Sequence, residues 1–353
     1  MIKSIAIFAM LCFSITTNNC YADDELFGVH VKQIGVKASP DLSFIAPDGI
    51  AHIGLNKTID TSRFDLDVKY NGFESKIESG IKYTYTDFPY PNVSFYDSVA
   101  FEKIYLQKKY LERIKGGAIG VSSPKFYNLS LSTLAKFEDY FTASFEESIY
   151  LDKGTLNTAI ISLALDSVTE TNNTKQGIKS SLNYKKGLTY FGGDYDFAKL
   201  ELNNTLYLPI SSGQDLAIKF SLGYPLTSKN IPLPETYSIG GYNIIRGIGQ
   251  DELRGKGIIL FNTDYNISLV GKMEKEWFWF SWKELAGVLF FDVGKVGDEN
   301  IFVSHEKYRT STGCGLVLKL SARDYPFQIG AILAQALETE RKPILYLNFS
   351  TPW

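Results

Sequence analysis

The sequence predicts an all-β fold, a sixteen-stranded antiparallel transmembrane β-barrel. Three observations predict it. Past residue 50, apolar and polar residues alternate with the period of two that strands impose. The alternating segments run to about ten residues, longer than the five or six usual in soluble sheets and long enough to cross a bilayer when tilted. The last segment places Leu345, Leu347, Phe349, Thr351 and Trp353 on one face and ends on an aromatic residue.

Composition agrees with that class. Aromatic residues make up 14% of the 353 residues, with 22 Tyr and 24 Phe against only 3 Met, and no apolar run is long enough for a membrane helix. The formal net charge of -3 argues against a polybasic surface, so no nucleic-acid partner is expected.

Residues 1–22 read as a secretory signal peptide, with Lys3 as its positive end, Ile5 to Phe13 as its apolar core and cleavage near Ala22. Removing them leaves Cys314 as the one cysteine, so no internal disulfide is expected. Residues 23–49 are expected as a short periplasmic segment, and the barrel domain as residues 50–353. Eleven strands are predicted to start near Ile50, Ser62, Glu74, Ser98, Glu112, Phe126, Phe141, Leu156, Gly177, Asp196 and Gln214. Five more follow near Gly257, Ala286, Ser311, Phe327 and Ile344. An even count places both ends in the periplasm, as bacterial single-chain barrels require. The stretch Pro225 to Lys256 then becomes an extracellular loop. The aromatic run from Trp277 to Trp282 falls at a periplasmic turn, where it would join the interfacial girdle.

Alternation also selects the inward residues. Asp264 and Asp292 fall on the lumen face with Asn262 and Gly294. Carboxylates inside a barrel are costly unless hydrated or paired, and Arg246, on a glycine-flanked loop, could supply a charge-assisted partner. Solvated charges in an open pore are the alternative.

Three motifs recur in the last third of the chain. The loop contains Gly240-Gly241-Tyr242-Asn243-Ile244-Ile245-Arg246-Gly247-Ile248, the strand after it has Gly257 and Asp264, and the next has Phe290-Phe291-Asp292-Val293-Gly294. In this order they resemble the loop and strand signatures of the BamA/TamA-type outer-membrane insertase and transporter superfamily, also called the bacterial surface antigen barrels. The likeness covers roughly residues 177–353. Ile248 stands where the family has Phe or Tyr, and Asp264 where it commonly has Glu. The resemblance implies a long extracellular loop inserted in the lumen, where Arg246 and Gly247 anchor it to Asp264 and Asp292, with Gly240, Gly241, Ile245, Ile248, Gly257, Phe290 and Gly294 as motif positions. It also implies that Phe349 and Trp353 belong to a C-terminal assembly signal read by the barrel assembly machinery during biogenesis. Residues 23–49 are too few for the periplasmic POTRA domains that the family usually has.

The function that follows is insertion or translocation of polypeptides, or of lipids, at the bacterial outer membrane. The chain would contact outer-membrane lipid and work with a separate periplasmic or outer-membrane partner. A weak seam between the Ile50 strand and the terminal strand, which contains Pro352, would allow lateral opening. A passive diffusion pore, or a structural barrel without transport activity, is the alternative. His30, His52 and His305 are scattered, and no catalytic triad spacing, metal cluster or phosphate loop accompanies them. No enzyme activity, cofactor or metal is therefore expected, although a lipase triad could still assemble from distant strands.

Overall fold

The computed structural model describes residues 28–350, except residue 32, residues 39–49 and short stretches at 60–61, 72–75, 86–90, 106–107, 145–149, 172, 228–230, 243, 272–275, 278–279, 299–300, 304, 323–324 and 339–340. The signal segment, Pro352 and Trp353 lie outside the described residues. No helix among the described residues is long and apolar enough to cross a membrane, which says nothing of crossing by strands.

The chain is a run of antiparallel strands. They are β1 (Gly28–Val31), β2 (Gln33–Ala38), β3 (Ile50–Ile59), β4 (Ser62–Asn71), β5 (Lys76–Tyr85), β6 (Pro91–Tyr105) and β7 (Lys108–Ser122). Next come β8 (Leu129–Ser144), β9 (Tyr150–Asp166), the short β10 (Thr169–Thr171), β11 (Thr174–Gly187), β12 (Ala198–Ser211) and β13 (Gln214–Thr227). A loop follows, holding the 3-10 turn Leu233–Glu235 and a small hairpin of β14 (Tyr237–Ile239) and β15 (Leu253–Gly255). The wall resumes with β16 (Gly257–Val270), the two-residue β17 (Glu276–Trp277), β18 (Phe280–Gly297), β19 (Arg309–Ala322), β20 (Tyr325–Ala336) and β21 (Ile344–Ser350).

Each long strand pairs with the next, from β3 through to β21. Residues 28–38 pair at both ends of that series. Gly28–Val31 lie against β3, from Gly28↔Asn56 to Val31↔Ile53, and Gln33–Ala38 lie against β21, from Gln33↔Ser350 to Ala38↔Leu345. Counting 28–38 as one position, the sheet has about sixteen long strands.

Burial in this sheet is the reverse of a soluble protein's. On one face Phe95, Ile119, Phe137, Ile161, Leu289, Phe291, Leu316 and Leu333 are exposed. On the other Glu138, Thr158, Lys199, Asp215, Asp264, Glu284, Asp292 and Ser311 are buried. Neighbours show the alternation directly: Phe290 is 4% exposed and Phe291 is 39% exposed. An apolar outer face of this extent suits a lipid phase, with polar groups gathered inside.

The strand assignments differ from the sequence expectation in several places, and β6 begins at Pro91 and β9 at Tyr150, ahead of the starts expected near Ser98 and Leu156. The wall begins at Gly28 and not at Ile50, so part of the 23–49 segment is sheet and the seam does not join the Ile50 strand to β21. The expected strands near Phe126 and Phe141 are one strand, β8. Within it Glu138 faces inward beside Tyr96, and Asp139 on the other face accepts the Thr155 hydroxyl at 3.1 Å. The turn before β8 is made by Tyr127 and Asn128, both with positive φ. Finally, β18 starts at Phe280, well before Ala286, and its first residues pair with β17, Glu276 with Ser281 and Trp277 with Phe280. The strand total is reached because one split strand replaces one missed strand.

Candidate functional site

The loop between β13 and β16 lies against the polar face of the sheet. Its seat is built on β16 and β18, whose register sets Asn262 opposite Asp292 and Asp264 opposite Phe290. Alternation then turns Asn262, Asp264, Phe290 and Asp292 to one face.

Arg246 joins these residues. Its backbone N–H donates to Asp292 Oδ2 at 3.1 Å, its Nε to the same oxygen at 2.9 Å, and its Nη2 to Asp292 Oδ1 at 2.6 Å. The same Nη2 reaches Asp264 Oδ1 at 2.7 Å. The guanidinium lies 3.7 Å from the centre of the Phe290 ring, a cation–π contact in a desolvated setting. Asp292 is fully buried and also accepts from Asn262 Nδ2 at 2.9 Å and Ser311 Oγ at 3.4 Å. Asn262 ties the loop backbone as well, donating to Ile244 O at 2.8 Å. Lys219 of β13 neutralises the second Asp264 oxygen at 2.5 Å. Two carboxylates thus face two cations, with hydrogen bonds filling the remaining acceptor sites, as buried charges require.

Gly247 allows the loop to lie this close. Its φ is 81°, and a Cβ there would approach Ala336 N at 3.0 Å. Its N–H donates to the Tyr346 hydroxyl at 3.1 Å, which links the loop to β21. Gly240 and Gly241 also have positive φ, at 115° and 95°, and form the turn that leads into the arginine. Around the ionic centre, Ile239, Ile245 and Ile248 pack with Ile258, Leu260, Val296 and Ala336, while Phe290 packs with Ile332, Ala334 and Tyr346. Gly257 opens β16 opposite Gly297, and Gly294 pairs with Leu260. The structure therefore gathers Arg246, Gly247, Asp264 and Asp292 with Ile245, Ile248, Phe290 and Gly294. Phe349 is distant in sequence terms only through its strand, pairing with Ile329 and Ile34.

Several loop contacts had no motif to announce them. Glu235 is buried between Lys199, whose Nζ meets its Oε2 at 2.7 Å, and Lys185, which bonds its other oxygen. Lys199 also donates to Glu235 O at 3.0 Å, meets Glu201 at 3.0 Å and sits 4.7 Å over the Tyr237 ring. The Tyr237 hydroxyl donates to Glu201 at 2.9 Å. Burial acts to raise the Glu235 carboxyl, but Lys185 and Lys199 outweigh it and hold it at about 2. Elsewhere Arg341, between β20 and β21, donates to Glu252 at 2.6 Å, and Arg254 lies 5.9 Å over the Tyr110 ring on β7. The one available signal was that Lys185, Lys199 and Glu201 fall on the polar face of alternating strands. Their common partner in the loop had to be seen.

A model of the Omp85 superfamily domain matches residues 52–348. BamA from Haemophilus ducreyi lacking POTRA domains 1–3 is similar in structure, with a TM-score of 0.70 at 13% identity, covering 92% of this chain and 70% of that one. CdiB from Escherichia coli gives 0.63 at 10% identity, covering 96% and 69%. CdiB from Acinetobacter baumannii gives 0.56 at 13% identity, covering 92% and 59%. At such identities the likeness is one of fold. No curated protein matches the chain in sequence.

Proposed function

This chain belongs to the Omp85 superfamily, and on that premise we propose that it is an outer-membrane β-barrel that inserts or secretes polypeptides with the help of a separate partner protein. The barrel closes through residues 28–38, which bond one neighbour with their first half and the other with their second. The loop between β13 and β16 occupies the lumen, and Arg246 anchors it to Asp292 and Asp264.

The observation that carries this reading is the seating of the loop on the polar face while the opposite face presents apolar side chains. A diffusion pore keeps a hydrated path along its axis. Here the loop reaches from β16 and β18 to β11, β12 and β7, and such a loop obstructs that path. An unanchored connection of this length would lose several kcal/mol of conformational entropy on ordering, so its contacts must return that amount. Each charge-assisted hydrogen bond returns about 1.5–3 kcal/mol.

Deletion of the gene followed by comparison of outer-membrane and secreted protein profiles tests the function. The expected result is loss of one or a few surface or secreted proteins, with restoration by the wild-type chain. Unchanged profiles together with faster uptake of small hydrophilic solutes by cells expressing the chain would favour the pore.

A further inference from the structure

The loop is tied to the wall at a second place, and nothing in the Arg246 motif requires it. We propose that Glu235 is a positioning residue for the loop, a second latch independent of Arg246, so that the lumen opens only when both contacts are broken. The inference rests on the reading above that this loop fills the lumen.

The two ties share no partner. Glu235 engages Lys185 of β11 and Lys199 of β12. Arg246 engages Asp264 of β16 and Asp292 of β18. β13 stands between the two groups in the sheet. At about 4.8 Å per strand, they lie on separate arcs of the wall. Glu235 is also as enclosed as the arginine, at 7% against 9% exposed, and Lys199 is 4% exposed. This is not a surface pair of little worth. A buried carboxylate between two lysines, one of them also bonded to the Glu235 backbone carbonyl, fixes both the side chain and the loop at that point.

The arrangement predicts how the ties combine. Contacts that are well separated and share no partner contribute additively in free energy, so their effects on the open fraction multiply. Loss of either tie should raise transient opening by roughly ten- to hundred-fold, the worth of one or a few charge-assisted bonds, yet leave the closed state dominant. Loss of both should raise the open fraction by about the product of the two factors.

The test compares wild type, Arg246→Ala, Glu235→Gln and the double variant, assembled in the outer membrane and purified in detergent. Lys199→Gln serves as a second way to break the same latch, should Glu235→Gln assemble poorly. Two readouts are taken: cleavage of the loop between residues 225 and 256 by added protease, and single-channel conductance in planar bilayers. The proposal expects each single variant to be cleaved roughly ten- to hundred-fold faster, and the double to be cleaved at a rate near the product of the two increases. A double variant no faster than Arg246→Ala, or Glu235→Gln and Lys199→Gln both indistinguishable from wild type, would overturn it. Conductance reads the occlusion separately. If the double variant is cleaved rapidly but stays closed, the latch stands and the lumen-filling loop fails.

Discussion

Asp292 does more than pair with Arg246. It receives three bonds from that residue, one of them from the backbone N–H, and further bonds from Asn262 and Ser311. Asn at this position would turn an amide N–H₂ toward one of these donors while leaving the guanidinium without its main counter-charge. Breaking one side of a buried pair typically costs about 3–5 kcal/mol. Asp292→Asn is therefore expected to loosen the loop at least as much as Arg246→Ala, which removes the other charge but leaves Asp292 three hydrogen bonds, from the residue 246 backbone N–H, Asn262 and Ser311. Protease cleavage of the loop in the two variants, measured side by side, checks the order. Glu235 supports a second expectation at this scale. Its carboxyl is held at about 2, below its ordinary value of 4.5, so its contribution is fully present above that ordinary value and is lost as pH falls through 2. The groups facing it are Lys185, Lys199, Glu201 and Tyr237. Hydrogen exchange of the backbone N–H groups of Glu235 to Ile239, corrected for the intrinsic rate, should thus show the same protection at pH 5 as at pH 7. Protection that falls between these values would mean that the pairing with the two lysines does not hold this segment.

At the scale of elements, legibility followed the range of the interactions that define each one. β13 and β16 were readable because one face meets apolar surroundings and the other polar, which the alternation Leu216, Ile218, Phe220, Leu222 records residue by residue. The Arg246 seat was readable for the same reason, since alternation alone turns Asp264 and Asp292 the same way. The single strand β8 was read as two, near Phe126 and near Phe141. In a sheet whose interior is polar, Glu138 is an ordinary inward residue. Residues 28–38 were missed because their partners are β3 and β21, the latter some three hundred residues away, and neither half is long enough for its own period to stand out. The Glu235 latch was missed because a 3-10 turn of Leu233–Glu235 has no period and no motif. Its meaning depends on which strands lie beneath it.

For the whole molecule, the decisive matter is how the sheet ends. A sheet with an apolar outer face cannot leave an edge of unpaired N–H and C=O groups in lipid, because nothing there can bond them. Residues 28–38 answer that need by pairing with β3 in one half and β21 in the other. The pairing with β21 covers Gln33 to Ala38 and is the only ladder that holds the C-terminal strand on that side among the described residues. Backbone N–H groups in a strand point alternately to its two sides, so one of the neighbours Gly35 and Val36 must donate toward β21. Gly35→Pro and Val36→Pro, made separately, therefore form a matched pair, since proline cannot donate to a ladder. One of them should lose a bond worth about 1 kcal/mol and add a steric clash at the seam; the other should be milder. Closed barrels stay compact in detergent until heated, so the unheated, fast-migrating band on gels reports closure. The expected outcome is a smaller fast-migrating fraction for one proline variant than for the other, with equal totals after heating. If both variants match wild type, the barrel does not close through residues 28–38, and β3 must meet β21 directly.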